Sequence, residues 1–478
     1  MPLLVSALLI SSALALFCAI DADREGYEGT LGATTINSVQ DLIDIKDDLN
    51  GNYILGSNIT ITGNFTPIGG AGDPFTGKFD GDNKTITLNI SVGKTDADAY
   101  AGLFGYTEGA EIKDLKINGT VSAATSLTEE PPISLASYAG TIVGKAVDTT
   151  ITNCHSTATV TSSHPARAYA GGIAGHAINS VMENCGNTGK VTATGAEAYA
   201  GGIAGHAEGN LGGSTMKGCY NHGAVTATGG VGNDNFGLAG GIVGRATLDT
   251  VSFSFYVVIK ECYNAGTVTA TGKESDAGGI AGKMSASSSI KNCYNVAAVT
   301  ATGEKPSAGG IAGNVSGSPA TIENCYNVAT VTATGGSSGG IVGAAANLKI
   351  IHCYFLTGKV SNNKICGTDA GGVVIEGTGV QSSGAKSVGS MKQTLEQAQL
   401  DSSIYFNWDF GETAPSVWTA DEEKNNGYPI LLALADTVKD WDEGGGGSGG
   451  IPITVLIVGV IVVLGIAGAA VYFFILRK

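Results

Sequence analysis

The chain is dominated by an internal repeat with a period near 30 residues. Phased on its last glycine, the repeat places equivalent positions at Gly105, Gly144, Gly175, Gly205, Gly244, Gly282, Gly313 and Gly343. Successive glycines are 30 or 31 residues apart in the basic unit and 38 or 39 apart where a unit carries an insertion. Such periods are typical of solenoids, in which each unit buries its apolar face only against its neighbours. A compact enzyme fold is therefore disfavoured.

Each unit carries short segments that alternate apolar and polar residues. Ile290, Cys293, Val299 and Ala301 alternate in this way with polar neighbours, and a period of two predicts strands. The sequence Val-Thr-Ala-Thr-Gly recurs unchanged in five units, beginning at Val191, Val225, Val268, Val299 and Val331. The predicted fold class is all-β: a right-handed parallel β-helix (β-solenoid) of about ten coils with short helical caps.

One column of the repeat is occupied by cysteine. It comprises Cys154, Cys185, Cys219, Cys262, Cys293, Cys325 and Cys353. Leu115 holds the same place in the first unit, so this column should point inward as a buried ladder. We favour reduced cysteines that fill space, because parallel side chains on stacked coils disfavour disulfide geometry. Disulfide bonds between some neighbouring cysteines remain an alternative, because an extracellular location favours oxidation. With Cys366, the number of cysteines is even once the signal peptide, which holds Cys18, is removed.

The opposite face of the same strands carries threonine. Two parallel rows are predicted, formed by Thr192, Thr226, Thr269, Thr300 and Thr332 and by Thr194, Thr228, Thr271, Thr302 and Thr334. Flat Thr-x-Thr arrays resemble those of ice-binding β-helices, and we treat this face as a candidate ligand surface. The alternative is that threonine is simply favoured on strand surfaces.

Candidates for chemistry are few. His176 and His206 occupy the same Gly-His-Ala place in adjacent units and could stack and share a metal, although ordinary loop-side residues are the favoured interpretation. The chain has no His-Glu-x-x-His zinc motif. Asp80-Gly-Asp-Asn83 lacks the downstream glutamate of a calcium loop, and the Gly-Gly-Ile-Ala-Gly step recurs too often to be a phosphate loop. We expect no catalytic, cofactor-binding or metal-binding residues.

Both ends of the chain indicate location. Residues 1–22 resemble a signal peptide, with an uncleaved anchor as the alternative. Residues 451–476 form an uncharged segment long enough for a transmembrane helix, after a Gly/Ser linker at 443–450 and before a cytoplasmic tail at 477–478. Because the tail is basic, the positive-inside rule predicts a single-pass cell-membrane protein with an extracellular N-terminal domain.

The charge and the asparagine motifs of the sequence indicate which partners and modifications to expect. The formal net charge is -16, which argues against nucleic acid as a partner. Asn-x-Ser/Thr sites occur at Asn58, Asn64, Asn83, Asn89, Asn118 and Asn314. They are candidates for N-glycosylation, although asparagine and threonine are abundant in β-helix turns anyway.

The remaining segments should close the solenoid. Residues 23–98 form an N-terminal cap and the leading coils, with an amphipathic helix predicted at 38–49. Residues 99–376 form the repeats. Residues 377–442 are predicted to be a C-terminal cap with a helix at 390–400 and an aromatic cluster that includes Trp418 and Tyr428.

The repeats resemble a known family. Gly102-Leu-Phe-Gly105 and its variants through Gly340–Gly343 are similar to the GLUG motif of bacterial and archaeal surface proteins, which also occurs beside zinc-dependent immunoglobulin A peptidases. The flanks at Phe75-Thr-Gly-Lys-Phe-Asp-Gly81 and Asn426-Gly-Tyr-Pro-Ile-Leu431 strengthen the resemblance, which covers roughly residues 36–432. The resemblance implies a β-helical surface module and no reaction.

These observations together favour a binding or structural role. We expect an adhesin or envelope structural module that is anchored in the membrane and contacts surface glycans or proteins of another cell or of its own envelope. The alternatives are an ice-binding protein that uses the threonine face and a polysaccharide-active β-helix enzyme. A ligand site is expected on the outer face of the coils or in the inserted loop near Asn233–Phe236.

Overall fold

The computed structural model describes residues 32–438 except 64, 128–134, 210–211, 231–234, 249–255, 286, 318–319, 362, 377–384, 387–390, 393–404, 406–407, 414–415, 422–423 and 426–427. The predicted signal peptide, linker, membrane span and tail lie outside the described residues. No helix within the described part of the chain has the length and apolar character needed to cross a membrane.

The described residues form an all-β solenoid of three parallel sheets. This confirms that the fold is all-β with parallel strands, as in the predicted β-helix. Sheet A has 12 described strands: Thr34–Ile36, Asn52–Leu55, Lys78–Asp80, Glu111–Lys113, Thr150–Thr152, Val181–Glu183, Ser214–Lys217, Val257–Lys260, Ser289–Lys291, Ala320–Glu323, Leu348–Ile351 and Val374–Glu376. Sheet C has nine described strands: Phe104–Glu108, Val143–Val147, Ala174–Ile178, Ala204–Gly209, Val243–Leu248, Ala281–Met284, Ala312–Val315, Val342–Ala345 and Cys366–Asp369.

Sheet B provides two or more strands to most coils. Its 23 described strands are Ile59–Thr60, Thr85–Thr95, Ala99–Ala101, Lys116–Ser126, Ala136–Gly140, His155–Ser156, Thr159–Gly171, Gly186–Asn187, Val191–Gly201, Tyr220–Asn221, Val225–Gly229, Phe236–Gly240, Tyr263–Asn264, Val268–Thr271, Glu274–Gly278, Tyr294–Asn295, Val299–Thr302, Ser307–Gly309, Tyr326–Asn327, Val331–Thr334, Ser337–Gly339, Tyr354–Leu356 and Ala385–Lys386. Equivalent residues of successive units pair with each other, as Val268 does with Val299. The repeat period is therefore one coil.

The solenoid interior is apolar, as the alternation predicted. Ile290, Cys293, Val299 and Ala301 are fully buried in one continuous core. All seven repeat cysteines are buried and free of disulfide bonds, whereas Cys366 is only half-buried. Burial raises the pKa of the Cys154 thiol to about 12, so this thiol is not a nucleophilic thiolate at neutral pH.

An asparagine ladder lies beside the cysteines. It comprises Asn187, Asn221, Asn264, Asn295 and Asn327, all fully buried. The amide nitrogen of each of the first four donates to the amide oxygen of the next asparagine at 2.8 Å. The same nitrogen also donates to a backbone carbonyl two residues onward in its own coil, as Asn264 does to Gly266 at 2.8 Å. The ladder satisfies its buried polar groups internally, which is the condition for tolerating them in a core.

The N-terminal helix is shorter than predicted. It spans Val39–Asp44 and continues as a 3-10 helix at Ile45–Asp47. Ser38 and Asp41 form a capping box that satisfies two backbone N–H groups, and Leu42 is the buried residue of the α-helix. The predicted C-terminal helix falls largely outside the described residues.

The described part of the C-terminal segment lies against the side of the coils. Tyr263, Tyr294, Tyr326 and Tyr354 form a tyrosine ladder on the outer surface, and the first three rings stack 4.9 and 5.1 Å apart. Trp408, Phe410, Trp418 and Tyr428 pack onto this ladder. The two strands Trp418–Thr419 and Ile430–Leu431, which pair antiparallel, and a 3-10 helix at Leu432–Leu434 complete the described segment. Without the C-terminal segment, the rings of the tyrosine ladder would face water. The segment therefore buries an apolar surface along the coils.

A candidate ligand-binding groove

A groove follows the coils where sheets B and C meet. Each coil bends sharply at the Gly-Gly-Ile-Ala-Gly step, and a Cβ atom at Gly201 would stand 1.9 Å from the Ala204 carbonyl oxygen. On either side of the bend, Ala200 and Ala207 point into the core. Tyr199 and His206 therefore point outward, and their rings lie 5.6 Å apart. Outward side chains from the two sheets thus meet across a concave corner.

Each wall of the groove is one column of the repeat. Column B, on sheet B, comprises Tyr100, Tyr138, Tyr169, Tyr199, Leu238, Asp276, Ser307 and Ser337, which pair in register. Column C, on sheet C, comprises Tyr106, Lys145, His176, His206, Arg245, Lys283, Asn314 and Ala344, also in register. Column B is tyrosine in its first four coils and changes after them, and column C changes at most steps, whereas the core positions stay apolar.

Column B begins as a stack of tyrosine rings. Tyr100, Tyr138, Tyr169 and Tyr199 stack with centroids 4.7 to 5.0 Å apart and planes within 9°. The faces of these rings contact each other and the side chains of column C. The ring edges and the hydroxyl groups are therefore the parts that face the open groove. Burial raises the pKa of Tyr169 to about 12, and these phenols therefore stay protonated at neutral pH.

His176 and His206 lie together in this groove. Their rings stack 4.5 Å apart with planes within 6°. Nε2 of His176 lies 3.2 Å from a carboxylate oxygen of Glu208, and Nε2 of His206 lies 2.7 Å from the hydroxyl oxygen of Thr247. Both imidazoles belong to strands and are about 7% exposed. The favoured interpretation of ordinary loop-side residues is therefore wrong, because the sharp bend turns this position into a closed corner.

Glu208 completes a set of three potential metal ligands with the two histidines, whose ligand atoms lie within 4.8 Å of one another. The nearly parallel imidazole planes direct their lone pairs side by side, whereas a shared metal needs them to converge. Lys145 and Arg245 flank the pair in column C, and their positive charge opposes a cation. The described geometry therefore fits stacked neutral imidazoles better than a metal centre.

Acidic side chains in the groove are already engaged. Glu197 accepts hydrogen bonds from Arg167 at 3.1 Å and from the Tyr199 hydroxyl at 2.7 Å. Glu208 is paired with His176, and this hydrogen bond is the main cause of its lowered pKa. Burial raises the pKa of Asp276 to about 6, so this carboxyl group is easily protonated.

The histidine pair predicts a pH dependence of stability. Burial lowers the pKa of His176 and, more strongly, that of His206, where the neighbouring positive groups add to the effect. The unfolded chain, with histidine pKa about 6.5, therefore takes up protons before the folded state does. The free energy of unfolding is therefore unaffected by the two imidazoles above about pH 6.5 and falls as the pH drops below that value.

Thermal unfolding at pH 7.5 and pH 5 measures this effect. The drop in Tm should be smaller in His206→Gln than in the unchanged protein. His352→Gln removes a less buried imidazole and should leave the drop nearly unchanged. An equal drop in all three proteins would contradict the assignment.

The threonine face is present as predicted. Thr192, Thr226, Thr269, Thr300 and Thr332 pair in register, as do Thr194, Thr228, Thr271, Thr302 and Thr334. All ten side chains are half-buried or exposed. They form two straight rows on the outside of sheet B.

The predicted glycosylation sites differ in accessibility. Asn58, Asn83 and Asn89 are exposed. The Asn118 amide oxygen accepts a hydrogen bond from Thr157 at 2.7 Å, and the Asn314 amide donates to Asp276 at 3.4 Å. Asn64 lies outside the described residues. A glycan is attached to the amide nitrogen, so it would compete with the hydrogen bond that the Asn314 amide donates and not with the one that the Asn118 oxygen accepts.

The groove was not among the sites predicted from the sequence. Its signal was present, because column C is the residue that follows each phasing glycine, and column B precedes the same step at Tyr138-Ala-Gly, Tyr169-Ala-Gly-Gly and Tyr199-Ala-Gly-Gly. The inserted loop named as a site contributes Phe236, which lines the groove, while residues 231–234 lie outside the described part of the chain.

Comparisons with known proteins agree with the repeat assignment. The family model for the GLUG motif matches residues 166–192, which confirms the predicted resemblance for that unit and includes Tyr169, His176 and Asn187. No curated protein matches the chain. The chain is similar to a solved Bacteroides ovatus structure described as a candidate immunoglobulin A1 protease, with 21% identity, 84% of this chain and 92% of that chain covered, and a TM-score of 0.41.

Proposed function

We propose that the protein is a membrane-anchored cell-surface adhesin, or a binding module of the cell's own envelope, that holds its ligand in the groove between columns B and C. The solenoid supplies a rigid scaffold for this role. The membrane anchor and the extracellular location come from the sequence of residues 451–476 and 1–22.

One observation carries the proposal. Core positions stay apolar from coil to coil, while column B passes from tyrosine to leucine, aspartate and serine and column C from lysine to histidine, arginine, lysine and asparagine. A scaffold needs no such variety at outward positions. Different polar groups at fixed spacing are what recognition of one extended ligand requires.

No reaction is proposed for this groove. The carboxylate of Glu208 and the imidazole of His176 are paired, and both imidazoles are buried and neutral at pH 7. The alternative to a binding protein is an enzyme that acts on polysaccharides. Shortening of a bound polysaccharide during incubation with the protein would favour that alternative.

Binding of the purified full-length protein to a glycan array and to intact cells tests the proposal. We expect saturable binding that is weakened by Tyr169→Ala, because this ring lines the middle of the groove. Thr269→Ala, which changes the threonine rows of sheet B and not the lining of the groove, should bind as the unchanged protein does. Failure to bind any glycan or cell surface would overturn the adhesin function.

The threonine rows support a second candidate function, ice binding. Their register gives a flat, regular array of hydroxyl and methyl groups. Thermal hysteresis in the same protein preparation, lost in Thr269→Tyr but kept in Tyr169→Ala, would favour this candidate over the groove.

A further inference from the structure

We infer that the groove binds a segment of acidic polysaccharide, one that carries carboxylate or sulfate groups. The inference rests on the proposed binding function and names its ligand class. It concerns the middle of the groove, from Lys145 to Lys283 in column C.

The three cations of column C form no close ion pairs with described residues, although Asp276 of column B lies near enough to Lys283 for the lysine charge to oppose the rise in pKa that burial causes in that carboxyl group. Within the described part of the chain, no carboxylate forms an ion pair with Lys145, Arg245 or Lys283. Lys145 instead lies 5.5 and 5.6 Å from the ring centres of Tyr106 and Tyr138. Arg245 donates to the Tyr199 hydroxyl at 3.2 Å and lies 5.7 Å from that ring. The groove therefore presents positive charge in a protein whose formal net charge is -16.

Two of these cations, Arg245 and Lys283, line a cavity with unmet hydrogen-bonding capacity. The cavity has a volume of about 500 Å³ and is lined by Arg245, Lys283 and both histidines, among others. Nε of Arg245 and Nδ1 of His176 and of His206 are buried without a hydrogen-bond partner among the described residues. A buried polar group without a partner destabilises the folded state. A ligand therefore gains affinity when it offers an acceptor to the Arg245 Nε–H and a hydroxyl donor to Nδ1 of His176, whose Nε2–H already donates to Glu208.

The charge balance favours an anion over a cation. The cavity lining carries three cations, Arg167, Arg245 and Lys283, against two carboxylates, those of Glu197 and Glu208. Glu197 is ion-paired with Arg167, and Glu208 accepts a hydrogen bond from the neutral His176. Lys145 is partly buried, and burial lowers its pKa. An ammonium group that has lost water without gaining a counter-ion is stabilised by a nearby anionic ligand group.

The groove suits a saccharide better than a peptide. Strands on both walls are paired on each side within their sheets, as Ala204–Gly209 is between two neighbours, so no backbone edge is open to an extended peptide. The walls offer side-chain groups instead: the hydroxyls of Tyr138 and Tyr169, both lining the cavity, and the cations of column C. From Lys145 to Lys283 the column crosses four coil spacings, about 19 Å.

Binding of defined polyanions to the full-length protein tests the inference. The probes are oligogalacturonates of increasing length, dextran sulfate, neutral dextran and poly-glutamate. The groove variant is Lys145→Gln with Arg245→Gln. The control variant is Lys217→Gln with Lys260→Gln, which removes the same charge from neighbouring strands of sheet A, away from the groove.

We expect the groove variant to bind the better of the two acidic polysaccharides about ten- to hundredfold more weakly per lost charge-assisted bond, and the control variant to bind within about twofold of the unchanged protein. Affinity should rise with oligogalacturonate length and then level off. Whether galacturonate or dextran sulfate binds better distinguishes carboxylate from sulfate recognition. Unchanged circular dichroism and Tm would show that the variants are folded.

Several results would overturn the inference. These are equal losses in the groove and control variants, undiminished binding by the groove variant, equal affinity for neutral dextran, and tighter binding of poly-glutamate than of either polysaccharide. If the protein binds only neutral glycans in the array, this inference fails while the proposed adhesin function stands. If it binds no surface at all, the proposed function itself fails.

Discussion

Replacing Gly279 by threonine should lower the free energy of unfolding by about 3 kcal/mol or more, and adding Asn295→Ser should restore part of the loss. Gly279 belongs to the Gly-Gly-Ile-Ala-Gly step, and Asn295 to the asparagine ladder. A Cβ atom at Gly279 would stand 2.5 Å from Cγ of Asn295 and 2.1 Å from the Gly310 carbonyl oxygen. Neither the buried asparagine nor the backbone of the next coil has room to retreat.

The rescue is expected because the chain contains the alternative pair. Thr141 takes the place of this glycine in an earlier coil, and Ser156 takes the place of the asparagine. There the Thr141 hydroxyl donates to the Gly172 carbonyl oxygen at 2.6 Å, so the larger residue fits where the ladder residue is smaller. The two positions therefore share one volume: threonine accompanies the small Ser156, and glycine accompanies a larger ladder residue such as Asn295 or Phe355.

Chemical unfolding of four proteins tests this coupling: the unchanged chain, each single variant and the double variant. Gly93→Thr serves as a control, because a Cβ atom there meets no atom within 4 Å. Additive losses in the double variant would contradict a shared volume. A repeat array can unfold in stages, so the midpoint of each transition is compared instead of one global value.

The sequence allowed the scaffold to be predicted well. Val268 and Ala270 were assigned to the core and Thr269 to the surface from alternation alone, and the structure places them so. The inward cysteine column followed from Leu115 in the equivalent place, and it is also confirmed. These predictions succeed because period-two patterning and one-coil pairing are local properties that repeat.

The groove could not be predicted in the same way. Alternation shows that Tyr199 and His206 point outward, but it does not show that the chain bends between them so sharply that they touch. That bend depends on close backbone packing at Gly201, which is a contact between parts of the coil and its neighbours. Of column C, only the recurring pair His176 and His206 was recognised from the sequence, because the neighbouring residues, such as Lys145 and Arg245, differ from coil to coil.

Replacing Trp418 by alanine should destabilise the protein by about 3 to 5 kcal/mol, the range for truncating a large buried aromatic side chain. Trp418 is fully buried and lies 6.1 Å from the rings of both Tyr294 and Tyr326 and 4.6 Å from Trp408. The segment is held further by hydrogen bonds from the Tyr326 hydroxyl to Pro429 at 2.6 Å and from the Tyr263 hydroxyl to Thr437 at 2.9 Å.

The loss should be local as well as large, because the tryptophan joins the C-terminal segment to a ladder that is already paired within sheet B. Limited proteolysis of Trp418→Ala should cut first within residues 405–438, while the coils from Tyr263 to Tyr354 resist. Trp418→Phe keeps most of the ring contact and removes an indole N–H that has no hydrogen-bond partner among the described residues, so it should lose much less. Equal losses for alanine and phenylalanine would show that ring packing on the ladder does not hold the segment. Cleavage spread evenly over the coils would instead mean that the segment supports the whole solenoid and that the ladder is not stable without it.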